Sequence, residues 1–367
     1  MVVLTLLAFV FSFIGSVWVL RMRHRHAAAY GTDLPQRFHQ GAVPRLGGVA
    51  IAGAMALAWL LGTALDGSVL PLNLRIGWRD VMMWLLVLTP AVVTGVVEDL
   101  TQRLPVRYRL ALTAASGGLA CLLLGIAVTR LGLPFIDPVL AALPMLGVVL
   151  AVVAVAGLPH AFNIIDGYNG LAGTVALLVC LAIAHVALQV GDRSLAAFLM
   201  CLAGATTGFL VWNYPRGLIF AGDGGAYLWG VVIAVACVLL VQRHPQVSPW
   251  FPVLLLIYPV WETVFSIYRK TARGGSPGMA DALHFHQLIF RRIVRQVLHD
   301  DEARQLLSRN NRTSPYLWGF TLVTVVPAVV FWQNTPVLIG FSLLFVVTYV
   351  GAYLAIVRFK VPGWIQR

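Results

Sequence analysis

Charge is scarce in this chain. Only 11% of its 367 residues are Asp, Glu, Lys or Arg, and just 14 are acids. A soluble domain carries about 25% charged residues, so this chain has too little polar surface to face water all round. It has no stretch that reads as a separate soluble domain and no low-complexity tail. Cysteine is scarce too. Cys121, Cys180, Cys201 and Cys237 all lie in apolar runs without a close pair, which argues against a disulfide frame or a zinc site. The opening run "VVLTLLAFVFSFIGSVWVL" lacks the basic start and small-residue cleavage site of a secretory leader, so it reads as a retained helix. Nor does an internal repeat suggest the inverted halves of a secondary transporter.

What the chain has is hydrocarbon. Apolar residues make up 59% of it and mean hydropathy is +0.85. Apolar runs of about 18 residues or more recur along its length. The expected architecture is an all-α integral membrane protein, a polytopic bundle of about 10–11 transmembrane helices forming one domain over residues 1–367. The expected spans are 2–20, 47–65, 81–98, 110–129, 144–162, 170–190, 194–212, 225–242, 250–268, 315–333 and 336–357. Of the 26 lysines and arginines, 21 fall in segments 21–46, 99–109, 163–169, 213–224, 269–314 and 358–367. The other connections hold only Arg75, Arg79, Arg130, Arg193 and Arg243. Basic residues mark the cytoplasmic side, which makes 269–314 a large cytoplasmic loop. The net charge of +12 is therefore a topology signal, and no nucleic-acid partner is needed to explain it.

With so few acids, their positions are informative. "VVTGVVEDLTQR" puts Glu98 and Asp99 at the cytoplasmic end of the third span, and "HAFNIIDGYNGLAG" puts Asn163, Asp166 and Asn169 at that of the fifth. "LIFAGDGGAYLWG" sets Asp223 in the turn before the eighth, and "DALHFHQLIFRR" sets His284 and His286 in the large loop. The topology rests on Lys and Arg alone, yet all four polar clusters land on one face. A lone carboxylate at a helix end is most often merely solvated, but Glu98 and Asp99 are adjacent, point about 100° apart and cannot both face lipid. Asp223 sits among small residues that permit close approach, and a glycine-rich turn entering a helix offers N–H groups to an anion. Glu262, about 9 Å below the cytoplasmic end of the ninth span, is a buried-acid candidate. The two loop histidines are too sparse for zinc and suit phosphate. His160 and His185 lie in or at spans, and His185 reads as structural. Carboxylates without a cysteine or imidazole cage suit a hard cation, Mg²⁺ or Mn²⁺, held by one or two acids and by substrate phosphates. The residues alone thus imply a metal-bound phosphorylated substrate at the membrane surface.

In order along the chain, "PQRFHQGAVPRLGG" (35–48), "GVVEDL" (95–100), "AFNIIDGYNGLAG" (161–173), "LIFAGDGGA" (218–226) and "ADALHFHQL" (280–288) are similar to the polyprenyl-phosphate N-acetylhexosamine-1-phosphate transferase family. The resemblance covers nearly the whole chain. It implies a multi-pass enzyme of the bacterial inner membrane with a cytoplasmic site. Such an enzyme transfers a sugar-1-phosphate from a UDP-N-acetylhexosamine or related UDP-sugar to undecaprenyl phosphate, releases UMP, uses Mg²⁺, and initiates O-antigen or other envelope glycans. A homodimer is left open. By the same resemblance Asp223 matches a magnesium ligand and Phe220 an aromatic associated with uracil. Asp99 matches the second acid of an Asp-Asp pair implicated in catalysis or lipid-phosphate binding, and is expected to touch the metal or the phosphates. Asn163, Asp166 and Asn169 match polar positions around nucleotide and metal, Glu262 a common acid, and His284 and His286 a histidine-rich loop. Two positions depart from the pattern: Glu98 stands where aspartate is usual, and Gln287 where a further histidine is common.

The expected chemistry is attack of a lipid phosphate oxygen on the β-phosphorus of the UDP-sugar, with UMP leaving in line. One diphosphate linkage replaces another, so the step is near balance. The protein's work is to bring two anions together and offset their charge, and Arg37, His39, Arg45 and His284 are the candidates to hold the lipid phosphate. A phosphomonoester with a second pKa near 6 is largely dianionic at pH 7, so no general base is required. The competing classes are a transporter of an anionic substrate and a catalytically inactive relative. A transporter would want polar residues at the bilayer midplane, whereas here they crowd one face.

Overall fold

The computed structural model describes residues 1–22, 43–65, 77–274, 283–294 and 302–358. Every regular element among them is helical: α1 (Val2–Arg21), α2 (Gly47–Leu65), α3 (Trp78–Thr101), α4 (Val106–Leu124), α5 (Asp137–Ala142), α6 (Pro144–Ile165), α7 (Leu171–Gln189), α8 (Arg193–Asn213), α9 (Gly222–Arg243), α10 (Trp250–Leu255), α11 (Ile257–Ala272), α12 (Phe285–Arg292), α13 (Glu302–Val330) and α14 (Thr335–Val357). Nine of these, α1, α2, α3, α6, α7, α8, α9, α13 and α14, are long and apolar enough to cross a membrane. The protein is a multi-pass membrane protein. The other two expected spans take different forms. The fourth, α4, opens with Arg107 and Arg109 and stops at Gly125, whose φ of +66° ends the helix. The ninth is broken at Leu256 into α10 and α11, because Pro259 has no N–H to return to Leu255.

α9 is the axis of the bundle. In its apolar window 94% of residues are buried, against 28% for α1 and α14. It packs on α3, α6 and α2, with α4, α7 and α8 also in contact. Without a strong hydrophobic drive between helices in lipid, close backbone approach is what holds them, and small residues permit it. Gly230 of α9 faces Pro159 of α6 so closely that an added Cβ would stand 2.3 Å from the proline Cα. All four cysteines are free thiols, three of them buried in this packing.

Helix ends alternate between two faces. On one face lie the end of α3 and the starts of α2, α4 and α9, joined by direct contacts between Glu98, Asp99, Arg109, Asp223 and the 44–48 segment. On the other, Arg130 donates through Nη2 to the carbonyls of Val241, His244 and Val247. Arg243 pairs there with Asp192. Within 269–314 the described residues include α12, and α13 begins 13 residues before the expected span. The polar run "RNNRTSP" is helical because its side chains grip the 166–170 turn, as described below.

Candidate active site

The start of α9 is wedged between two other helix ends. Phe220 N–H donates to Pro44 O, and Gly47 and Gly48 donate back to Phe220 O and Ala221 O at 2.9 and 2.8 Å. These bonds zip the chain before α9 to the chain before α2. A Cβ on Gly48 would stand 2.1 Å from Gly225 N, and one on Gly95 2.5 Å from Gly224 N. Gly222 has a φ of +70°, and its Cβ would meet Arg45 O and both Asp99 oxygens. The glycines around Asp223 are there because three backbones meet with no room for side chains.

That closeness lets Asp99 cap α9 from another helix. Its Oδ1 accepts from Asp223 N–H and its Oδ2 from Gly224 N–H, both at 2.9 Å, and it is 2% exposed. Gly225 N–H turns back to Ala221 O. The turn was expected to offer its N–H groups to an anion and Asp99 to touch metal or phosphate. In the structure the two bond to each other, and Asp99 is the mount on which Asp223 sits. Glu98 points elsewhere, as adjacency on a helix requires: its Oε2 accepts from Leu104 N–H at 2.8 Å, and Oε1 lies 3.7 Å from Arg109 Nη1.

Asp223 is the centre of the cluster. Asn163 Nδ2 donates to its Oδ1 at 2.7 Å. Arg109 Nη1 and the Tyr227 hydroxyl donate to its Oδ2 at 3.0 and 3.2 Å. Asp166, just beyond the end of α6, stands in the field of Asp223 and Arg45. Burial first, and the Asp223 charge second, push its carboxyl up to about 7, with partial relief from Arg45. Phe220 is half-buried beside this group through the backbone ladder. Arg109 and Tyr227 were not anticipated from the sequence. Arg109 had counted only toward topology, although an arginine at the mouth of an apolar run was a visible signal. His160, left open in sequence, joins the same neighbourhood: its Nε2 is 3.2 Å from Thr113 Oγ1 and its ring packs edge-on against Tyr227.

Glu262 and the loop histidines form a second, linked cluster. Glu262, 1% exposed, takes His284 Nδ1 at 3.1 Å and Phe285 N–H at 3.0 Å on Oε1, and the Tyr349 hydroxyl at 2.8 Å on Oε2. A buried acid so fully bonded pins the start of α12 to α11 and α14. The His284 and His286 rings stack at 5.3 Å. His286 lies against Gly167 and, edge to face at 5.6 Å, against Tyr168. Asn169 is held on α13. It is 0% exposed, and its N–H, Nδ2 and carbonyl are bonded to Asn310, Asn311 and Ser314 of α13. It clasps the turn that carries Asp166. Arg37 and His39 lie outside the described residues.

Among the described residues no three of His, Cys, Asp or Glu form a metal cage. Mg²⁺ needs fewer protein ligands, one or two carboxylates completed by water and phosphate. Asp223 and Asp166 are two hard oxygen donors whose charges oppose each other, an imbalance a divalent cation relieves. The residues present fit such an ion.

The chain is similar to known membrane enzymes. The profile of glycosyl transferase family 4 matches residues 81–241, from α3 through α9. The undecaprenyl-phosphate alpha-N-acetylglucosaminyl 1-phosphate transferase of Thermotoga maritima is 28% identical, over 70% of this chain and 72% of that protein. The decaprenyl-phosphate N-acetylglucosaminephosphotransferase of Mycolicibacterium smegmatis is 27% identical, over 85% and 78%. The Escherichia coli K12 undecaprenyl-phosphate alpha-N-acetylglucosaminyl 1-phosphate transferase is 25% identical, over 69% and 66%. Over α3 through α9 the chain is similar to glycosyl transferase family 4, and over most of its length to polyprenyl-phosphate sugar-1-phosphate transferases.

Proposed function

We propose that this protein transfers an N-acetylhexosamine-1-phosphate from a UDP-sugar to undecaprenyl phosphate at the cytoplasmic face of a bacterial inner membrane, releasing UMP. The observation that carries the chemistry is Asp223, mounted by Asp99 at the start of α9 and ringed by Asn163, Arg109 and Tyr227. The relatives named for polyprenyl phosphate and N-acetylglucosamine support the substrate classes. Asp223 with Asp166 would hold Mg²⁺ or Mn²⁺, which when bound offsets the charge of the diphosphate.

The chain's own residues do the rest. Asp99 and the glycine wedge fix Asp223 against drift, since misplacement by about 1 Å costs on the order of 10²-fold in rate. Asn163 orients the carboxylate through Oδ1. Arg109 and Arg45 supply positive charge on the side where the two anions meet. The Asn169 clasp and the His286–Tyr168 contact hold the Asp166 turn in place. A lipid phosphate oxygen forms the new P–O bond at the β-phosphorus, the bond to UMP breaks, and UMP carries away the electron pair.

The test is direct. Purified protein given undecaprenyl phosphate, Mg²⁺ and a panel of UDP-N-acetylhexosamines should release UMP with at least one donor, and only when the lipid phosphate is present. No release across the panel would remove the transferase activity and favour an inactive relative or a transporter.

A further inference from the structure

Arg109 belongs to no motif, yet it is the cation on Asp223. Nη1 stands 3.0 Å from Asp223 Oδ2 and 3.7 Å from Glu98 Oε1, on a side chain 22% exposed. Both Asp223 oxygens are occupied, Oδ1 by Asn163 and Oδ2 by Arg109 and Tyr227. At the same time the Nε–H of Arg109 is buried and finds no acceptor among the described residues. A guanidinium is a rigid fork of five donors suited to two oxygens of one phosphate. Here one prong holds Asp223 and another is idle.

A divalent ion and this guanidinium compete for Oδ2. Mg²⁺ sits about 2.1 Å from a carboxylate oxygen, which would place it within a few Å of Nη1, where like charges repel strongly away from bulk water.

We propose that Arg109 is a placeholder for the divalent cation. It offsets the Asp223 charge until the ion arrives, then leaves Oδ2 and turns its fork, the idle Nε–H included, to a phosphate oxygen of the bound diphosphate. Glu98, 3.7 Å away, keeps the freed guanidinium at the site mouth. This rests on the proposed metal role of Asp223, and the experiment separates the two.

Mn²⁺ is the probe, with free Mn²⁺ read by EPR in solutions of the purified full chain without substrate. Arg109→Gln should bind Mn²⁺ about 10-fold more tightly than wild type, within the range of ordinary site couplings. Its KM for the UDP-sugar should rise. Arg109→Lys, which keeps the charge but loses the fork, should fall between the two and carries the test if the glutamine variant does not fold. Asp223→Asn should lose Mn²⁺ binding. If Asp223→Asn loses it while both Arg109 variants bind no better than wild type, the placeholder is wrong and the metal site stands. If Asp223→Asn binds as wild type does, the metal assignment fails and the placeholder with it.

Discussion

Glu98 and Asp99 are one residue apart on a helix that turns about 100° per residue, and the structure sends them to different partners. Asp99 fills a pocket of backbone N–H groups, while Glu98 reaches Leu104 N–H and the neighbourhood of Arg109 at the rim. Their tolerance of length should differ accordingly. Asp99→Glu must place an extra methylene where an added Cβ on Gly222 already meets the Asp99 oxygens at 2.5 Å. It should displace the start of α9 and lower turnover on the order of 10²-fold. Asp99→Ala strands two buried N–H groups, at about 1–3 kcal/mol each. Glu98→Asp shortens a rim contact and should keep most activity. UMP release at saturating substrates, alongside melting in detergent, decides between them. If Glu98→Asp is the more damaging, the rim acid is the one that meets substrate.

At the scale of elements, the wedge around α9 makes a sharper prediction, because three glycines in neighbouring helices differ only in what they face. Gly48 and Gly95 abut the α9 backbone at 2.1 and 2.5 Å from a would-be Cβ, and Gly53, on α2 like Gly48, has nothing within 4 Å. Gly48→Ala and Gly95→Ala should each destabilise by about 1–3 kcal/mol or more through overpacking and should weaken any Asp223-dependent activity. Gly53→Ala should be neutral or stabilising by up to about 1 kcal/mol. Equal melting of all three variants would show that the helix ends are not held backbone to backbone. This level of structure was only half legible in the sequence. "AGDGGA" announced close approach through its composition, but nothing local says that the approaching group is Gly48 on one side and Asp99 on another. Likewise Glu262 and Asn169 stood out because they are polar in an apolar chain. Their partners, Tyr349 and Asn310, lie 87 and 141 residues away, beyond what one-dimensional spacing can show. Arg109 failed to stand out for the opposite reason: in a chain whose basic residues mark a membrane face, one arginine with a second role looks like the others.

For the whole molecule, the hydrophobic pattern carried the most. Bundle class, the helix order and the gathering of acids at one face follow from long apolar runs and the asymmetry of Lys and Arg, because lipid leaves few other solutions for such a chain. What the pattern missed were the places where helix and apolar run part company: α11 starts after a proline break, and α13 extends through "RNNRTSP" on hydrogen bonds to the 166–170 turn. The same asymmetry predicts which face is inside. Arg103 is exposed on the face that carries Asp223, and Arg243 is exposed on the opposite one. In a background with the four native cysteines replaced, Arg243→Cys should react with a membrane-impermeant maleimide in intact cells. Arg103→Cys should react only after permeabilisation. Both substitutions are mild: Arg243 loses a surface pair with Asp192, worth about 0–1 kcal/mol. The result also bears on chemistry, since a nucleotide-sugar donor is available only inside, so a site face that labels from outside would detach the acid cluster from any UDP-sugar and overturn the proposed reaction along with the orientation.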